Sequence, residues 1–128
     1  MADLDPRINV TVDGEDREIF MSFGLLNELT SWLGSPEALP AIFVKAEMRS
    51  EMLSRLLAER KKSGKLITPV ADIDDVEIEL ADVQRLLQWA TEHVLSFFLQ
   101  SLTVLKGVLE RDEEKMTGLG SMLVSSKD

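Results

Sequence analysis

The chain contains no cysteine, which excludes disulfides, iron–sulfur clusters and thiolate zinc sites and leaves the redox compartment open. It has one histidine, His93, so no histidine pair exists to hold zinc, copper or iron. That residue reads as a helix-surface side chain near Trp89. Basic residues are in the minority, 14 against 23 acidic, for a formal net charge of −9. Such a balance repels phosphate backbones. The local exception, Arg60, Lys61, Lys62 and Lys65, is what a helix carboxyl end favours on dipole grounds, so no nucleic-acid partner is expected. No unbroken apolar run approaches the ~20 residues that a bilayer span needs, so no membrane partner is expected either. Internal repeats and low-complexity tracts are absent. The opening Met1-Ala2-Asp3-Leu4-Asp5-Pro6 is acidic where a signal peptide is basic and then apolar, which makes the cytoplasm the expected location.

The chemistry-bearing patterns are equally thin. Asp72-Ile73-Asp74-Asp75-Val76-Glu77 resembles part of a calcium loop, but it lacks the glycine of the sharp turn and has valine at an oxygen-ligand position. Gly120-Ser121-Met122-Leu123 lacks the second glycine and the strand-to-helix setting of a nucleophile elbow. The seven glycines are scattered, so there is no phosphate-cradling loop. Glu92 with Glu110, or Glu28 with Glu37, make an acid–base pair only if a pocket brings them together. No catalytic, cofactor-binding or metal-binding residue is assigned, and the chain is expected not to be an enzyme.

What the sequence does have is helical patterning. Its 128 residues, 45% hydrophobic and 29% charged, suffice for one globular domain with its own core. The organising stretch is Asp82 to Glu110. Asp82 offers a capping oxygen, and apolar residues recur on one face from Val83, Leu86, Leu87 and Ala90 through Val94, Phe97 and Phe98 to Leu105, Val108 and Leu109. Leu95, Leu99 and Leu102 form a second set beside it, so this helix needs covering on two sides.

Ahead of that helix, Ile8, Val10 and Val12 alternate on one face, Asp13 to Asp16 reads as a turn, and Glu18 to Met21 returns as the second strand of a hairpin. Ser22 caps a helix carrying Phe23, Leu25, Leu26, Leu29, Trp32 and Leu33, which Gly34 ends. Ser35-Pro36 restarts a helix, and from near Pro40 a long helix runs to about Lys62, closed by Ser63-Gly64. Arg49 falls on its apolar face, its stem packing while the guanidinium reaches solvent or a carboxylate. Leu66 to Asp75 is a connector broken by Pro69. Val76 to Leu80 alternates as a short strand, the third that a marginal hairpin lacks. The fold class is mainly α: a three-helix core with an N-terminal hairpin and room for that third strand. Residues 1–115 form a single domain and residues 116–128 a mobile tail.

Two blocks carry a resemblance: Met21-Ser22-Phe23-Gly24-Leu25-Leu26, and Trp89-Ala90-Thr91-Glu92-His93-Val94-Leu95-Ser96-Phe97-Phe98. With the order of segments over roughly residues 7 to 110, they make the chain resemble the tail assembly chaperones of long, non-contractile-tailed bacteriophages. The resemblance implies a non-enzymatic protein made in the host cytoplasm and absent from the mature virion. Its implied partners are the tape measure protein and the tail tube protein, and self-association into a homo-oligomer is expected. It also implies a longer form made by frameshifting. The alternatives are a small structural tail-completion or head–tail connector protein, and a bacterial acidic helical adaptor.

The candidate partner-binding or self-association residues come from spacing alone. Met48 and Met52 lie one turn apart beside the core stripe, where methionine makes an adaptable surface. Trp89 falls outside the main stripe, and tryptophan is enriched among interface anchors. Leu95, Leu99 and Leu102 complete the set.

Overall fold

A computed structural model describes residues 4–68 and 72–111. It is mainly helical, with an N-terminal antiparallel hairpin and a second small sheet. The chain divides into two units, Met1–Ser96 and Phe97–Asp128. The expected tail at residues 116–128 and the break at Pro69 lie outside the described residues.

Strand β1 (Arg7–Val12) pairs antiparallel with β2 (Glu15–Phe20). The turn is Asp13-Gly14 alone, shorter than the four residues expected. Both take positive φ, 53° and 78°, the backbone of a two-residue turn whose twist matches that of the strands it joins. Val10, Val12 and Ile19 are buried on one face. The cross-strand pairs Thr11–Asp16 and Arg7–Glu18, with Arg7 over the Phe20 ring, mark the other.

Helix α1 (Phe23–Leu33) follows its sequence signals closely. The Leu25 N–H donates to the Ser22 hydroxyl at 3.1 Å, and Gly34, at φ 81°, ends the helix with its N–H on the Thr30 carbonyl. Leu25, Leu29 and Leu33 are its buried stripe.

The single long helix expected from Pro40 to Lys62 needs correcting. Pro36–Ala38 is one 3₁₀ turn, α2 spans Ala41–Val44, and α3 spans Ala46–Leu57. The break is Lys45, extended at φ −110° and ψ 120°. An unbroken helix would pair the Glu47 N–H with the Phe43 carbonyl. Here the Arg49 guanidinium, in an exposed contact, donates to that carbonyl instead, at 3.2 Å, so Arg49 satisfies an acceptor that the break leaves free.

At its other end α3 stops at Leu57, because Ala58 turns extended and leads into β3 (Glu59–Arg60), which pairs with β4 (Leu66–Thr68). Ser63-Gly64 therefore belongs to the turn of a second hairpin, not to a helix end. Gly64 has φ 96°, and a Cβ there would lie 2.7 Å from both Gly24 Cα and Leu25 N. The turn thus seats backbone on backbone against the start of α1, which only glycine permits.

Val76 to Leu80 does not form the third strand. It makes one bridge, Val12 to Ile78, plus Asp13 N–H to Glu77 carbonyl and Glu77 N–H to Asp13 carboxylate, both 2.8 Å. Helix α4 (Leu80–Arg111) starts two residues before the expected cap. Asp82 lies inside its first turn, and its carboxylate accepts from the Thr11 N–H at 3.2 Å and from Arg85 at 2.9 Å. An acidic side chain in that turn also suits the helix dipole.

Candidate interaction surface

Helix α4 changes character along its length. Its buried side chains, Leu86, Leu87, Trp89, Ala90 and Val94, all precede Leu95. The core stripe expected to continue through Leu105, Val108 and Leu109 is therefore buried only as far as Val94. Beyond it Leu95, Leu99, Leu102 and Leu105 are 40%, 45%, 56% and 52% exposed, and Phe97 and Phe98 are half-buried. Leu95, Phe98, Leu102, Leu105 and Leu109 recur at alternating steps of three and four residues, the spacing of a seam that receives another helix. Exposed apolar residues standing singly need no explanation, but a contiguous row of this kind is a feature that association sites share.

The other candidates separate. Met52 is fully enclosed and is corrected to a core residue, its flexible thioether filling space beside Leu53 and Leu56 rather than offering a surface. Met48 is half-buried. Trp89 is also corrected: it is 8% exposed, and its indole N–H donates to the Asp5 carbonyl at 2.8 Å. His93 Nε2 reaches the same oxygen at 2.8 Å. A carbonyl only accepts, so Nε2 carries the proton. The two rings meet edge to face with centroids 5.0 Å apart, and together they pin the N-terminal segment to α4.

Two of the acidic candidates, Glu28 and Asp72, make specific contacts within the fold. Glu28 of α1 accepts from Arg60 at 2.7 Å and from Arg55 at 3.1 Å. The Arg60 hydrogen bond, reinforced by the nearby charges, holds the Glu28 carboxyl below its ordinary value of 4.5 against the opposing effect of burial. Arg60 also donates to the Arg55 and Gly64 carbonyls, at 2.9 and 3.0 Å, so one guanidinium ties α1, the end of α3 and the second turn together. Nothing in the spacing of Glu28 and Arg60 signalled this clamp, because its members lie 32 residues apart. Asp72, in the calcium-like segment, accepts from the Asp74 N–H and caps a single 3₁₀ turn, Ile73–Asp75. Among the described residues no group of potential ligands is placed to hold a metal ion, and no helix is long and apolar enough to cross a membrane. Comparison of the chain with protein families, with curated proteins and with solved structures finds no match.

Proposed function

We propose that the chain is a non-enzymatic tail assembly chaperone of the kind that long, non-contractile-tailed bacteriophages use. It receives helical segments of the tape measure protein on the apolar row of α4 and keeps them soluble while tail tube subunits polymerise. In this reading α1, α3 and the first half of α4 form a three-helix core, the protein acts as a homo-oligomer in the host cytoplasm, and it leaves before the virion is complete. The observation that carries the reading is the row Leu95, Leu99 and Leu102, left exposed on a helix that supplies the core with Leu86, Ala90 and Val94. An amphipathic helix seats its own i, i+3, i+4 and i+7 anchors on such a row, and the net charge of −9 keeps the sticky surface in solution and draws in basic segments.

The test is co-expression with tape measure fragments. The wild-type chain should retain them in the soluble fraction, whereas Leu99→Glu with Leu102→Glu should release them at unchanged helix content. Capture unaffected by the double variant removes the reading. Mass spectrometry of purified virions adds an independent check, since a chaperone is missing from the particle and a connector is present at fixed stoichiometry.

A further inference from the structure

The apolar row of α4 has a candidate occupant within the chain itself. Leu99, Leu102, Leu105 and Leu109 are each between 44% and 56% exposed, and they run toward Arg111, after which the segment 112–126 begins. Charge sets that segment and the row apart from the rest of the sequence. In a chain that is 29% charged, the two longest stretches without aspartate, glutamate, lysine or arginine are 93–105 and 116–126. The second holds Met116, Leu119, Met122, Leu123 and Val124, with the small Gly118, Gly120 and Ser121 between them. The charged Asp112-Glu113-Glu114-Lys115 separates the two stretches from the end of the helix onward. That is the order a fold-back needs: an apolar row, a short polar connection of the length that joins antiparallel neighbours, and a second apolar run. Reach is sufficient. Leu109 back to Leu99 is about 15 Å of helix at ~1.5 Å per residue, whereas residues 116–124 in extended form span about 30 Å at ~3.3 Å each. Small residues let the backbone of such a strap lie close to the leucines, and neither surface brings a charge that would have to be desolvated. Tethering favours this occupant over a free one, because a short connection holds the segment at an effective concentration in the millimolar range.

We propose that residues 116–124 lie antiparallel along α4 over Leu99, Leu102, Leu105 and Leu109 and cover the row in the free chain. The functional consequence rests on the reading of that row as the surface for tape measure helices. An incoming helix must displace the strap, so its apparent affinity is lowered by the fraction of chains whose row is open.

The chain has no cysteine, so Ser121→Cys gives the full chain a single attachment point for a nitroxide spin label. The label should broaden the methyl resonances of Leu99, Leu102 and Leu105, and adding Met122→Asp with Leu123→Asp should abolish the broadening. Spin-labelled copies mixed with isotope-enriched, unlabelled copies should show none. No broadening in the labelled chain, or broadening carried between copies in the mixture, would overturn the proposal, the second result giving the segment to a neighbouring copy. Ending the chain after Arg111 should raise its affinity for a helical tape measure peptide by about tenfold, as should the double aspartate variant. Broadening together with no capture of that peptide by the shortened chain leaves the strap in place and removes the chaperone reading, so the two fail separately.

Discussion

Glu28 shows how one side chain couples folding to pH. Its carboxyl is held below the value it has in an unfolded chain, so the stabilisation is complete above that value and is lost as the pH falls through the depressed one. Denaturant midpoints should therefore drop on acidification below about pH 4.5, and Glu28→Gln should flatten that part of the profile while lowering stability at neutral pH. Both Arg55 and Arg60 would then face an amide in place of a carboxylate, a loss of order 1–3 kcal/mol for a partly exposed, charge-assisted contact. A profile as steep in the variant as in the wild type would disprove the clamp. Gly64 is the second such residue. Gly64→Ala adds a Cβ into Gly24 and Leu25 backbone at a positive φ and should cost about 1–3 kcal/mol, whereas Gly14→Ala, with open space around it, pays only the conformational part. Trp89→Phe should lose about 0.5–1.5 kcal/mol with the hydrogen bond to Asp5, seen as faster exchange at the N-terminal amides.

At the scale of elements, α4 is one helix with two environments. Through Val94 it buries a stripe; from Leu95 it displays one. Leu99→Glu should thus leave the circular dichroism spectrum and the denaturant midpoint within about 0.5 kcal/mol of wild type, the range for surface substitutions, while Leu86→Ala, at a fully buried position, should cost about 2–5 kcal/mol. A comparable loss from Leu99→Glu would place that leucine in a core. The hairpin and α1 were legible because their signals are local: period-two alternation, a serine cap, a glycine stop. The break at Lys45 was not, because the periodicity of Leu39 to Leu57 runs on through it, and the early end of α3 was not, because what replaces the lost helix bonds in each case is a long-reach contact: an arginine reaching back to the Phe43 carbonyl and a guanidinium anchored on Glu28.

For the whole molecule, charge is the governing quantity. A net charge of −9 offsets the tendency of exposed leucines to associate, so light scattering should show growing self-association as the pH falls toward the isoelectric point of about 4.6, and Leu102→Glu should suppress it. Scattering that ignores the substitution would remove the apolar row as the cause. The amino-acid sequence by itself determined the mainly helical class, the N-terminal hairpin, the lack of thiol chemistry and the surplus of apolar side chains on the last helix, since composition and period depend only on neighbours along the chain. Tertiary structure alone decided which part of that surplus is covered. It drew Met52 and Trp89 inside, left Leu95, Leu99 and Leu102 outside, and turned a helix end into a second hairpin. Burial and close backbone approach are properties of distant segments meeting, and no spacing along the sequence encodes them.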